Sequence, residues 1–343
     1  MSVGELFTGS QSPIYIIAEI GVNHNGSMDL AIQGVDAAIR SGANSVKFQT
    51  FRSENLVSRH APKANYQLQN TTSSESQLDM LKKLELSFEN FAYLKRYCAE
   101  RGIDFLSTPF DEESADFLHS IHLDAFKIGS GDMNNIPFLK KINRYGRPVL
   151  LSTGMAELKE IEEPLAALNN CEVALLHCTS DYPAPLIDVN LRAIHTLKST
   201  YGRITGYSDH TEGIEIAVSA AALGARIIEK HFTLDRSLPG PDHMASLEPE
   251  PFAAMVKAIR NVELAMGDGF KKCMPSEEAT RAVARKSLLA ASNLQAGRVL
   301  TEEDIAIKRP GTGIEPGYYE QLIGRVLKRD MERDELIRWE DLI

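Results

Sequence analysis

The chain has 343 residues, 43% hydrophobic and 24% charged, which is enough for one large domain and a small one. Its net charge of −10, with both signs interspersed, argues against binding bulk nucleic acid, although a few converging cations can still take an anionic substrate. No apolar stretch approaches the ~18 residues of a membrane span, the N-terminus lacks a basic-then-apolar secretory pattern, and four irregularly spaced cysteines predict a reducing cytoplasm.

In chain order, eight short apolar runs each end on polar or ionisable residues, with a helix-length segment between successive runs. Ile14–Ala18 ends on Glu19, and Ser27 is placed to cap a helix over 28–41. Ser45–Val46 leads to Lys47 and Gln49. The long connection 51–86 follows, carrying Lys63, Tyr66, Gln67 and a helix over 77–84; its length suggests a lid. Phe105–Leu106 leads to Ser107 and Thr108, Ala125–Phe126 to Lys127 and Ser130, and Val149–Leu151 to Ser152. Val173–Leu176 ends on His177 and Cys178, Ile204–Tyr207 leads to Ser208, Asp209 and His210, and Arg226–Ile228 ends on Glu229, Lys230 and His231. Intervening helices are expected over 88–101, 112–120, 136–145, 157–168, 189–199 and 214–223, with a closing helix over 251–267, and Gly42, Gly102, Gly202 and Gly224 fit C-terminal caps. The pattern predicts an α/β fold, a (β/α)8 TIM barrel over 1–270 whose chemistry sits at the strand C-termini. A linker over 271–285 precedes a small α+β domain over 286–343, in which LQAGRVLTEEDI (294–305) resembles MERDELIRWEDL (331–342). Each half reads as a turn, a strand and a short capped helix, with Thr301 and Asp304 approximating a capping box.

Three constellations carry chemistry. His210 and His231 end neighbouring strands and can hold a divalent metal with most of its shell open, or can simply hydrogen-bond in the barrel mouth. Lys47 and Lys127, with Ser130, Gly131, Ser152, Thr153 and Gly154, can anchor a phosphate or carboxylate; Lys127 can alternatively form a Schiff base, or the lysines can be ion-paired structurally. Among the carboxylates Glu19, Asp132, Asp209, Glu229 and Asp242, some can orient sugar hydroxyls or activate water and others are structural. Glu229 and Lys230 point to opposite faces, and Glu229 is expected inside. Ser180 and Tyr182, in a loop stiffened by Pro183 and Pro185, either contact substrate or pack.

The stretches AEIGVNHNGS (18–27), VKFQTF (46–51), FLSTPFDEES (105–114), FKIGSGDMNN (126–135), LLSTGM (150–155), LLHCTSDYPAP (175–185), GYSDHT (206–211), IIEKHFTLD (227–235), PGPDHMAS (239–246) and IKRPGTGI (307–314) together resemble the sialic acid synthase family. The C-terminal region is similar to that family's antifreeze-like, or SAF, domain. The resemblance implies condensation of phosphoenolpyruvate with N-acetylmannosamine and water to give N-acetylneuraminate and phosphate. It also implies a divalent metal, manganese or magnesium, on His210 and His231. Lys47, Thr108, Lys127, Ser130 and Ser208 would hold phosphoenolpyruvate; Glu19, Gln49, Tyr182 and Asp242 would meet the sugar; Glu229 would sit near the metal and the attacking water. Ser152 is an unassigned strand-end hydroxyl. Arg309 matches an arginine that the small domain contributes to the other subunit's sugar site, which implies a domain-swapped homodimer. Asp132 stands where some members have Glu, Ser180 where some have Asn and Phe48 where some have His; the first two substitutions weaken Asp132 as a water-activating base and Ser180 as a substrate contact. The sibling alternative is an N,N'-diacetyllegionaminate synthase acting on a 2,4-diacetamido sugar. A Schiff-base aldolase and a non-enzymatic binding protein are the readings from other classes.

Overall fold

The computed structural model describes residues 2–8, 12–63, 67–68 and 75–343; Tyr66 of the long connection lies outside them. The chain divides into two compact units, Met1–Gly267 and Asp268–Ile343. In the first, β1 (Tyr15–Gly21), β2 (Ser45–Thr50), β3 (Asp104–Pro109), β4 (Phe126–Ile128), β5 (Val149–Ser152), β6 (Val173–Cys178), β7 (Thr205–Asp209) and β8 (Ile227–His231) pair in sequence order into a closed barrel. Every pairing is parallel, and β1 closes the ring against β8 with Glu19 opposite His231. The helices α1 (Met28–Arg40), α2 (Phe88–Arg101), α3 (Glu112–Ser120), α4 (Ile136–Arg144), α5 (Glu162–Ala167), α6 (Ala193–Tyr201), α7 (Glu215–Ala222) and α8 (Pro249–Met266) follow the strands. As expected, Ser27 caps α1, its hydroxyl accepting from Leu30 N at 3.4 Å, and Gly102 ends α2 in the left-handed conformation that glycine adopts without cost.

Strand alternation divides the barrel into two environments. Outward residues such as Ile16, Ala18, Val46, Phe48, Phe105 and Ile228 pack against the helices. Phe48 stacks on Phe105 at 5.6 Å in that outer layer, so this departure lies behind the strand and not in the interior. The inward residues Tyr15, Ile17, Leu106, Ala125, Leu150, Ala174, Leu176 and Ile227 form an apolar plug across the bottom. A short helix, Val3–Thr8, adds Val3 and Leu6 to it, and Val3 N and Tyr15 Oη both donate to Asp104 Oδ2, at 2.6 and 2.7 Å. Above the plug the same inward register turns polar, beginning at Glu19, Lys47, Thr108, Lys127, Ser152 and Glu229.

The second unit pairs β9 (Ser287–Ala290) with β10 (Ile305–Lys308) antiparallel around a core of Leu288, Leu300, Ile305, Leu322, Ile337 and neighbours. The internal repeat is real in space: Leu294 and Met331 exchange backbone bonds at 2.8 and 2.9 Å. Both copies end in the same half of a capping box: Asp304 Oδ2 accepts from Thr301 N and Asp341 Oδ2 from Arg338 N, each at 2.9 Å. The expected strand and short helix of each repeat are isolated bridges and a single 3-10 turn, because three residues close only one turn. Among the described residues no helix is long and apolar enough to cross a membrane.

Gly206, on the interior face of β7, has no room for a side chain: a Cβ there would lie 2.6 Å from Ile227 Cβ and 2.7 Å from its carbonyl oxygen. Gly206→Ala should therefore cost about 1–3 kcal/mol in urea unfolding, as overpacking does. Gly131→Ala, which meets nothing within 4 Å, should be near neutral, and equal stability of the two variants would contradict the packing account.

Candidate active site

Above the plug, four charged side chains from four strands share the barrel interior. Lys47 Nζ lies 2.8 Å from Glu19 Oε2 and 4.0 Å from Glu229 Oε1, and Lys127 Nζ lies 3.7 Å from the same Glu229 oxygen. All four are at least 95% buried by residue area. Two cations balance two anions, which is the condition for burying them at all. Hydroxyls complete the set. Lys47 donates to Thr108 Oγ1 at 3.1 Å, Lys127 to Ser152 Oγ at 2.7 Å, Ser208 Oγ to Glu229 Oε1 at 3.0 Å, and Gln49 Nε2 to Glu19 Oε1 at 3.1 Å. Ser152 thus has a defined place, as the partner of Lys127.

The environments of the charges differ. Burial works against the Lys47 cation, but Glu19 and Glu229 more than offset it and hold its pKa above the ordinary value. Burial dominates at Lys127 and lowers its pKa. Burial also raises the pKa of Glu19 despite Lys47, whereas at Glu229 Lys127, Lys47 and the Ser208 hydroxyl overcome burial and press the pKa down. Glu229 is therefore the standing anion of the interior, and Glu19 is the carboxyl that exchanges a proton near neutral pH. Lys230, the outward neighbour of Glu229, pairs with Asp209 at 2.8 Å, both fully buried; the expected inside and outside assignment holds. Asp209 also accepts from Thr211 N and Oγ1, so its role is structural.

His210 and His231 bring their rings to 5.6 Å, with Tyr182 4.1 Å from His210 and 5.5 Å from His231. His210 Nδ1 lies 2.6 Å from the Thr179 carbonyl oxygen, which can only accept, so Nδ1 carries the proton and Nε2 keeps its lone pair. Burial pushes the His210 pKa down to about 4 and holds that of His231 well below the ordinary imidazole value, so both rings are neutral. Nδ1 of His231 is buried without a hydrogen-bond partner. Neutral imidazoles, one fixed in tautomer by a carbonyl, suit a divalent cation. Among the described residues no three His, Cys, Asp or Glu side chains are grouped to hold a metal, so two imidazoles are what the chain offers and other ligand positions fall to water and substrate.

The remaining predicted residues divide. Asp242 is buried at the rim, its backbone carbonyl accepting from Ser246 Oγ at 2.7 Å. Asn23 Nδ2 in turn donates to Ser246 Oγ at 2.9 Å, which ties the loop after β1 to the loop after β8. Burial raises the Asp242 pKa to about 6, against the attraction of Lys47. Ser130, Ser180 and Cys178 gather around Gly154: an added Cβ there would come within 2.8 Å of all three. Gly154 N donates to Ser130 Oγ at 2.9 Å, and Thr153 N and Oγ1 both donate to the Leu176 carbonyl. The expectation that Gly154 N–H and the Thr153 hydroxyl point at an anion is corrected accordingly, since both are spent within the protein. Asp132, in the turn that follows β4 with Ser130, is half-buried and accepts from Asn135 Nδ2 at 3.2 Å. Arg309 belongs to the second unit, where its Nε donates to Ala284 O at 3.0 Å. Lys63 of the long connection is buried and pairs with Glu75 at 3.7 Å. Sequence reasoning placed Cys178 only as a strand end, and it missed both the gathering of Cys178, Ser130 and Ser180 around Gly154 and the Asn23–Ser246 tie, which have no local signal.

A family model described as the NeuB family matches residues 34–271, and one described as the SAF domain matches residues 285–343. An N,N'-diacetyllegionaminic acid synthase of Campylobacter jejuni is 47% identical over 328 residues, spanning 94% of this chain and 98% of its own. The N-acetylneuraminate-9-phosphate synthase of Homo sapiens is 37% identical, over 96% of this chain and 93% of its own. The crystal structure of an N-acetylneuraminic acid synthetase from Leptospira borgpetersenii superposes with a TM-score of 0.71 at 37% identity, covering 79% of this chain and 90% of that one.

Asp242 gives a pH signature. Its folded pKa, about 6, lies above its ordinary value of 3.8, so the folded state binds its proton more tightly than the unfolded state. The stability this supplies is full below about pH 4 and is lost as pH rises through about 6. Between about pH 5 and about pH 7.5 the wild type should lose about 1.4 kcal/mol relative to Asp242→Asn in urea unfolding. Parallel curves for the two proteins would contradict this assignment.

Proposed function

The chain belongs to the NeuB family and is a nonulosonic acid synthase; from that premise we propose that it condenses phosphoenolpyruvate with a 2-acetamido-2-deoxymannose-type sugar. The observation that carries the reading is the pair of buried lysines with their hydroxyls above an apolar floor. Phosphoenolpyruvate carries several negative charges, and Lys47, Lys127, Thr108, Ser130, Ser152 and Ser208 supply cations and donors for them. The sugar lies toward the rim, between Glu19 with Gln49, Tyr182 and Asp242. Arg309 of a second copy of the chain reaches the sugar's acetamido group, so the active form is a domain-swapped homodimer, in a cytoplasmic setting that suits four unpaired cysteines.

The reaction forms a bond between C3 of phosphoenolpyruvate and the aldehyde carbon of the open-chain sugar. Water adds at C2, the C2–O bond breaks, and phosphate leaves. His210 and His231 would hold a divalent cation, manganese or magnesium, and the chemistry such a cation supplies is Lewis-acid polarisation of a carbonyl. Glu229, held ionised by the lysines and Ser208, sets negative charge beside the positive charge that develops at C2. Glu19, with its raised pKa, can give a proton to the former aldehyde oxygen and recover it from the water that adds.

Two acceptors fit this chemistry, and the greater identity to a diacetyllegionaminic acid synthase than to the human neuraminate-phosphate synthase favours the 2,4-diacetamido-2,4,6-trideoxy sugar over N-acetylmannosamine. This reverses the order expected from sequence. A panel of the two sugars, read by phosphate release from phosphoenolpyruvate, should give the diacetamido sugar the higher kcat/KM; the opposite ranking would restore the neuraminate reading. Chelator should abolish turnover and manganese restore it, and full activity in chelator would overturn the two-histidine metal site. The lowered pKa of Lys127 also suits an imine-forming amine. Borohydride with pyruvate should nevertheless leave Lys127 unmodified; a trapped adduct would favour the aldolase.

A further inference from the structure

Arg309 stands in the turn Lys308–Gly313, which is gripped from two directions. On one side lies the helix Glu278–Ala284. Its carbonyls accept from the turn twice, Ala282 O from Gly311 N at 2.7 Å and Ala284 O from Arg309 Nε at 3.0 Å. The last carbonyls of a helix lack intrahelical donors and carry partial negative charge, so a guanidinium N–H is a natural partner. On the other side Ser287 Oγ donates to the Pro310 carbonyl at 2.7 Å and accepts from Gly313 N at 2.9 Å. Between the two, Gly311 leaves no room for a side chain: a Cβ would meet Arg285 Cβ at 2.6 Å, Arg281 O at 3.1 Å and Arg285 C at 3.3 Å. Two of these three are backbone atoms, which cannot swing aside. With Nε committed to Ala284 O, the position of the guanidinium is set by how closely the turn sits on the helix.

We infer that Gly311 is a positioning residue for Arg309, and through it a determinant of acceptor-sugar binding. The inference rests on the reading in which Arg309 contacts the acceptor. A methyl at position 311 lifts the turn off the helix, breaks the Gly311–Ala282 and Arg309–Ala284 bonds together, and leaves the arginine to be ordered only on binding. The cost falls on the acceptor and not on phosphoenolpyruvate.

A double-mutant cycle in the full-length enzyme tests this, with Gly311→Ala, Arg309→Ala and the pair. Gly311→Ala alone should raise the acceptor KM on the order of tenfold and leave the phosphoenolpyruvate KM within about twofold. In the Arg309→Ala background the same substitution should change the acceptor KM by less than about twofold. An equal effect in both backgrounds, or none in the wild-type background, overturns the positioning role. If Arg309→Ala itself leaves the acceptor KM unchanged, the underlying assignment of Arg309 has failed, and that outcome is distinct from the others. Should Gly311→Ala fail to fold, Ser287→Ala replaces it in the same cycle. It removes both hydroxyl bonds without adding an atom, and the same criterion of non-additivity applies.

Discussion

Four charges held inside a closed barrel are the constraint on which the rest of this structure depends. Moving a single ionised group out of water costs several kcal/mol even after relaxation, so Lys47, Lys127, Glu19 and Glu229 can be there only as a balanced set, each with hydrogen bonds. That requirement accounts for the surroundings of the set. The apolar plug from Tyr15 to Ile227 seals it from below, so that the charges have one opening, toward the mouth. Thr108, Ser152, Ser208 and Gln49 face inward because each relieves one of the charged groups. In the proposed reaction an arriving polyanion would displace some of these internal contacts and take over the lysines, which are already in position and already desolvated. Preorganisation of this kind is what makes a buried cation a better phosphate ligand than a surface one.

The same arrangement separates the work of the two carboxylates. They share Lys47 but differ in what else they face. Glu229 has a second lysine at 3.7 Å and the Ser208 hydroxyl, while Glu19 has only Gln49 besides its lysine and is crowded by Glu229. One stays ionised and the other titrates near neutrality. Environments that push paired carboxyls apart in pKa mark the division between electrostatic and proton-transferring roles. The two histidines complete the gradient from the charged floor to a neutral rim, where burial keeps both rings uncharged and available as ligands.

Most of the barrel was legible in the sequence because a period-two alternation and a polar strand end are local signals. The inward placement of Glu229 against Lys230 follows from alternation alone, and Asp209–Lys230 confirms it from the outside. Ser27 and Gly102 announced helix ends for equally local reasons. The partnerships of the site were not legible. Nothing in LLSTGM tells that Gly154 N–H is spent on Ser130, since that bond joins two strand ends 24 positions apart. Nor does the sequence pattern show that Asp132, after β4, accepts from Asn135 three residues on. The N-terminal helix that finishes the plug is six residues long, too short for a periodic signal. In the small unit the repeat was visible, but its strands proved to be isolated bridges, because Val299 and Leu336 each pair at a single position, with Val326 and Leu289, outside the other copy.

The proposed chemistry depends on water being directed to C2 of phosphoenolpyruvate while the lysines hold the departing phosphate. Phosphoenolpyruvate labelled with heavy oxygen at the bridge between C2 and phosphorus reads this directly. Turnover with the acceptor sugar should deliver the label to inorganic phosphate, with unlabelled solvent oxygen at C2 of the keto acid. Recovery of the label in the keto acid would mean that water attacks phosphorus instead, and would contradict the roles of Glu19, Glu229 and the paired lysines.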